Sequence, residues 1–148
     1  MITTVFTDAS WCPKSKYGGF ACWVKSDNGT FKKYGEMSGK FDGAHKAELA
    51  AIVNGVWFAL KCVPDTTYMI CSSDCKTAID NVNNCGVYSP DKKRMAAHVR
   101  WMTRFIRFEL RHVKAHVVNG DKRHAVNNWC DEYAKMSMRA KRDRARIN

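Results

Sequence analysis

Residues 2–8 read ITTVFTD. Apolar and hydroxyl side chains alternate there, and Val, Phe and Thr favour an extended backbone whose side chains point to opposite faces in turn. This predicts a β-strand that delivers Asp8 at its end. Working outward, a turn through Pro13 and Lys16 leads to GGFACWVK at 18–25, a second strand. Asn28-Gly29 is a strong hairpin signal, because both residues tolerate the positive φ of tight hairpin turns. A third strand over about 30–38 completes a three-stranded antiparallel meander.

The period then changes. From His45 to about Cys62, Leu49, Val53, Val56 and Leu60 recur at three- and four-residue steps, the spacing of one buried stripe on a helix. Glu48 lies in its first turns. Pro64 and Asp65 end the helix, and TYMICSSD at 67–74 reads as a buried strand terminating at Asp74. A short helix is expected over 76–83, with Gly86 and Ser89-Pro90 as breakers, then a second from Asp91 to about Arg104. FELRHVKAH at 108–116 alternates as a strand. A loop is expected to Val126 and a last helix from Asn127 to about Arg139. The closing KRDRARIN is basic and short of apolar residues to pack, so it is expected to fray. The organisation read from this is one domain over 1–140 and a basic tail over 141–148.

Composition supports one folded domain. A chain of 148 residues can bury a core unaided, and 45% hydrophobic with 26% charged residues is ordinary for a globular protein rather than a disordered one. The net charge of +11 attracts polyanions, so RNA or DNA is the leading partner, with plain solubility as the alternative. Seven cysteines without a C-x-x-C pair suggest neither a disulfide framework nor a zinc ribbon, and reduced, mostly buried thiols are expected. No stretch resembles a secretory leader or approaches the length of a membrane span, so a soluble, cytoplasmic location without membrane association is expected.

Two apparent central strands end on Asp8 and Asp74. Taken singly, each has an ordinary explanation: a strand-end Asp as turn former or cap, Glu48 as a solvated helix residue, Asp131 as a surface acid paired with Lys135 four residues on. Taken together they would repel one another near apolar surroundings, and a cation resolves that repulsion. Mg²⁺ prefers such hard oxygen ligands and leaves positions for water and phosphate. Two ions so held would support metal-assisted phosphodiester hydrolysis.

The series TDAS at 7–10, AEL at 47–49, SD at 73–74, VKAH at 113–116 and NNWCDEYA at 127–134 resembles type 1 ribonuclease H in order and context, across nearly the whole chain. That resemblance implies an α/β fold with a five-stranded mixed sheet in the order 3-2-1-4-5 flanked by helices. It also implies two Mg²⁺ or Mn²⁺ ions and no organic cofactor, with an RNA–DNA hybrid as partner of a monomeric enzyme. The RNA strand would be cut to leave 5′-phosphate and 3′-hydroxyl ends. Carried over by motif, Asp8, Glu48, Asp74 and Asp131 are the metal ligands. His116 assists proton transfer or product release, and Ser10, Lys76 and Asn127 contact the substrate.

The chain departs from the family pattern at three places. GAHK at 43–46 stands where relatives carry substrate-contacting asparagines, Lys76 stands where a glutamine is common, and the loop after His116 is longer, which makes His124 a competing candidate. Binding is expected through Lys92, Lys93, Arg94, Arg100 and Arg104, or through Arg139, Lys141, Arg142, Arg144 and Arg146, with Trp101 packed in the core. The rival readings are a DNA or junction nuclease of the same fold and a nucleic-acid-binding module without turnover.

Overall fold

The computed structural model describes residues 1–83, 89–113 and 122–147, with the side chains of 122–124 left aside. Strands β1 (Ile2–Trp11), β2 (Gly18–Ser26) and β3 (Gly29–Glu36) form the expected antiparallel meander. Strand β4 (Tyr68–Ser73) lies parallel to β1, and β5 (Arg107–His112) parallel to β4. The sheet order is therefore β3-β2-β1-β4-β5, as the resemblance implied.

Helices α1 (Ala44–Cys62), α2 (Lys76–Val82) and α3 (Pro90–Met102) supply the other side of the main core. Val5, Cys22, Val24, Met69 and Cys71 point from the sheet into it, against Leu49, Ile52, Val56 and Ala59 of α1, Val82 of α2 and Val99 of α3. Within the expected α1 stripe, Leu49 and Val56 are fully buried while Val53 and Leu60 are partly so. Ser89 caps α3 by accepting from the Lys92 amide, and Pro90 sits at the first helical position, where its missing N–H costs nothing. The alternate residues of the sheet, Phe6, Ala21 and Trp23, meet Cys130 and Ala134 of α4 (Lys122–Ile147) on the opposite face.

Two glycines permit these layers to close. A Cβ on Gly55 of α1 would lie 2.4 Å from Thr7 Cγ2, and one on Gly19 of β2 would lie 2.4 Å from the Ala134 carbonyl oxygen of α4. Both contacts are far inside van der Waals range. Gly55→Ala is accordingly expected to lower stability by roughly 1–3 kcal/mol, the usual cost of overpacking. Urea denaturation reads this directly, and an unchanged midpoint would mean α1 can slide away from β1 freely.

Three element bounds differ from expectation. Strand β1 runs past Asp8 to Trp11, because antiparallel pairing with β2 continues through Asp8↔Ala21 to Trp11↔Gly18 after parallel pairing with β4 has ended at Phe6↔Ser72. Helix α4 begins at Lys122 rather than Asn127, since no glycine or proline interrupts 122–126. It also continues to Ile147 instead of fraying at Arg139. Lys141 Nζ donates to the Met37 carbonyl, Arg144 pairs with Glu36, and Arg146 lies 3.9 Å from Asp143 one turn earlier. The basic tail is thus helical and tied to the end of β3 by charge instead of apolar packing. Strand β5 ends at His112, and residues 114–116 of the expected strand lie outside the described residues.

Candidate active site

Register alone brings two of the acids level. Phe6 pairs with Ser72 across β1 and β4, so Asp8 and Asp74 each lie two residues further along parallel chains. A side-chain and a backbone bond hold the turn that presents Asp74: Ser73 Oγ accepts from the Cys75 amide at 3.2 Å, and Val113 N donates to the Ser73 carbonyl at 3.0 Å. His112 Nε2 lies 3.1 Å from the Asp74 carbonyl oxygen. Sequence reasoning treated His112 merely as an alternating strand residue. Its pairing with Ser73 places it beside Asp74, a consequence of β4–β5 register that no local motif announces.

Glu48 reaches the same point from the second turn of α1. One carboxylate oxygen from each of Asp8, Glu48 and Asp74 lies within 4.8 Å of the others. Asp8 is 2% exposed; its Oδ1 accepts from the Ala9 amide at 2.9 Å. Asp8 Oδ2 and Glu48 Oε2 are buried without a hydrogen-bond partner.

Burial, and next the charge of Asp74, push the Asp8 carboxyl up to about 8. Burial, then Asp8 and Asp74, raise Glu48 further still. Asp131 of α4 adds its charge to the same effect on Asp8, while its own carboxylate is ion-paired with Lys135 at 2.9 Å. The local i,i+4 pair considered from the sequence is therefore present, at the edge of the cluster. Asp131 is carried there by α4, which Trp129 and Tyr133 anchor: their rings stack at 4.5 Å, and Trp129 meets Trp23 of β2 edge-on at 5.3 Å.

The donor set fits a divalent cation. Several carboxylates in a poorly solvated site cannot all ionise without a compensating charge, and two of their buried oxygens meet no donor beyond a proton that Asp8 and Glu48 could share. The donors are all hard oxygens, which suits Mg²⁺ or Mn²⁺ and not a thiolate-seeking metal. Cys75, the nearest thiol in sequence, is itself held above the usual thiol range by burial.

The remaining candidates separate clearly. Ser10 is half-buried on β1 opposite Gly19, Asn127 is 5% exposed near the start of α4, and Lys76 is exposed at the start of α2. His116 and the side chain of His124 lie outside the described residues. GAHK forms one wall of a cleft of about 330 Å³, completed by Asp42, Ser89 and Lys92. Within it Lys46 is already committed to Asp91 at 2.8 Å, which leaves His45 exposed, one helical turn before Glu48.

Trp101 is 60% exposed and not a core residue. The core side of α3 is set by Ala96 and Val99, and a residue two beyond Val99 points about 200° away. Arg104 instead lies over the Trp101 ring at 4.1 Å. Arg100, expected to bind substrate, donates to the Val82 carbonyl at 2.8 Å and so closes the end of α2.

This sheet order, with carboxylates converging where β1 and β4 run out of parallel pairing, defines a ribonuclease H fold. The chain belongs to the reverse transcriptase-like family, whose model matches residues 6–119. Solved structures agree, bearing out the resemblance to type 1 ribonuclease H. The N-terminal RNase H domain of a Mycobacterium tuberculosis protein superposes with a TM-score of 0.79 at 16% identity, covering 97% of this chain and 98% of that one. RNase H1 from the halophilic archaeon Halobacterium salinarum gives 0.76 at 13% identity, over 95% and 99%. LC11-RNase H1, in complex with an RNA/DNA hybrid, gives 0.75 at 11% identity, over 94% and 98%. A sequence comparison with curated proteins finds no match.

Proposed function

We propose that this ribonuclease H domain is an endonuclease that hydrolyses the RNA strand of RNA–DNA hybrids, leaving 5′-phosphate and 3′-hydroxyl ends. The observation that carries the reading is the convergence of Asp8, Glu48 and Asp74 with two buried, unpartnered oxygens at this point of this fold. Asp131 completes the ligand set on this reading. Divalent cations bound there, two Mg²⁺ or Mn²⁺, supply Lewis acidity at the phosphoryl group and make a water a better nucleophile.

The chain's own residues do the rest. Asp8, the most buried acid, is central to the cation site, and His112 steadies the backbone that presents Asp74. His116 carries a proton to or from the reacting oxygens, a task imidazole performs near neutral pH. Ser10, Lys76 and Asn127 hold the strand being cut. His45, at the cleft beside Glu48, is where the ribose 2′-hydroxyl that separates RNA from DNA is met. The hybrid bound to LC11-RNase H1 supports the choice of substrate.

The six described cysteines are free thiols, which supports a reducing compartment such as the cytoplasm, and among the described residues no helix is long and apolar enough to cross a membrane; on this reading the enzyme acts as a monomer. End-labelled RNA–DNA hybrid, duplex RNA, duplex DNA and a four-way junction, each incubated with Mg²⁺ or Mn²⁺, test the function. Cleavage confined to the RNA of the hybrid is expected. Junction or DNA cutting would transfer the site to a same-fold DNA nuclease, and binding without products would make the chain a binding module.

A further inference from the structure

Beyond the carboxylates, three segments distant in sequence bring cations to one end of the sheet. The turn after β1 carries Lys14 and Lys16, the segment after β3 carries Lys40, and the end of α4 carries Lys141, Arg142 and Arg146. Lys141 Nζ lies 5.0 Å and Lys40 Nζ 5.5 Å from the centre of the same Tyr17 ring. Lys141 is anchored there through the Met37 and Gly39 carbonyls. Counted over 12–17, 36–41 and 141–147, seven cations face two acids, Glu36 and Asp143, both already paired with arginines of α4.

The turn is also held in a costly shape. Lys16 has φ 64, a left-handed conformation that glycine adopts freely and lysine does not. Hydrogen bonds lock it: Lys16 N donates to the Cys12 carbonyl at 2.7 Å, Cys12 N to Tyr17 at 3.0 Å, and Phe41 N to the Lys16 carbonyl at 2.8 Å. A strained backbone that persists under such constraint points to use. Here it fixes an exposed lysine beside the other cations.

We propose that this cluster is a second grip on the nucleic-acid backbone, flanking the carboxylate site. Like charges gathered from three segments repel unless an anion compensates them, and a row of phosphates does so while releasing counterions. Trp11, where the turn departs, is three residues beyond Asp8 on one strand, about 10 Å at the rise of a β-strand. That equals about three steps along a duplex. The turn therefore starts within about three nucleotide steps of the carboxylates, close enough for one bound duplex to reach both. The choice of partner rests on the nuclease reading above.

The test reads binding without cleavage. Lys16→Gly/Lys40→Ala/Arg146→Ala is compared with a charge-matched control at the opposite end of the sheet, Lys25→Ala/Lys61→Ala/Arg107→Ala, once thermal melts show both folded. Fluorescence anisotropy in EDTA follows a hybrid and a DNA duplex, each of about 20 base pairs, across a salt series. The cluster variant is expected to lose tenfold or more in affinity for the hybrid at moderate salt, and to flatten the slope of log K against log salt by about 2. The control should stay within twofold of wild type. Equal losses in both variants would reduce the cluster to general net charge, and unchanged binding would remove it from the interface. Loss of binding to vesicles of anionic lipid with hybrid affinity intact would reassign the surface to membranes. A protein that binds as stated yet cuts no hybrid in a parallel assay with Mg²⁺ or Mn²⁺ would overturn the nuclease reading and leave this surface standing.

Discussion

Asp74→Asn is expected to lower turnover on an RNA–DNA hybrid by roughly a thousandfold, about 4 kcal/mol of transition-state stabilisation. The substitution keeps the side chain's size and removes one charged oxygen donor from the set shared with Asp8 and Glu48. The fold should survive, because the backbone of the turn presenting residue 74 is held by the Ser73 hydroxyl, the Val113 amide and the His112 ring. Asp74 is also a source of the repulsion that raises Asp8 and Glu48, so its neutralisation relieves the metal-free protein. Single-turnover cleavage and a melting curve in EDTA measure the two halves separately. Full activity with an intact fold would dismiss Asp74 as a ligand. His116→Ala should slow the reaction about a hundredfold, at the lower end of what proton transfer contributes.

The second large effect concerns stability against pH and metal. Asp8 and Glu48 ionise near ordinary carboxylate values when unfolded, but only at much higher pH in the fold. Between those limits the native state holds more protons than the unfolded chain, so stability falls as pH rises. For Asp8 the contribution is fully present below its unfolded value of 3.8 and is lost as pH climbs through about 8. In EDTA the melting temperature should thus decline from mildly acid to mildly alkaline pH. Asp8→Asn should flatten that decline and melt higher than wild type at pH 8. Saturating Mg²⁺ replaces the missing protons: at a hundredfold excess over its dissociation constant it adds about 2.7 kcal/mol, or roughly 8 °C for a domain of this size. Differential scanning calorimetry over that pH range decides it. A melting temperature indifferent to Mg²⁺ at pH 8 would mean the carboxylates do not form a cation site.

Much of this molecule was legible in local pattern. ITTVFTD, the Asn28-Gly29 turn, the α1 stripe and TYMICSSD located their elements because period and turn chemistry are properties of neighbouring residues. The last helix was less legible at both ends. A loop is expected up to Val126, although the helix in fact begins at Lys122, and the end is expected to fray because KRDRARIN has little to bury. What holds that end is charge on Glu36 and carbonyls at Met37 and Gly39, about a hundred residues earlier. Trp101 was misassigned for a related reason: an apolar residue on a helix declares that it can be buried, and only the positions of Ala96 and Val99 show which side is.

By itself the sequence determined which chemistry is available: four carboxylates in family context, hard oxygen donors and a strongly basic surface. These are covalent facts of the chain. Tertiary structure decided which of them meet. Parallel register set Asp8 level with Asp74, and the closeness of α1 to β1 at Gly55 helps bring Glu48 to the same point. Asp131 was left at the margin with Lys135, and His112 was added beside Asp74. Contacts between residues far apart in sequence depend on how sheet and helices pack, a balance of burial, repulsion and backbone pairing summed over the whole domain that no short motif contains.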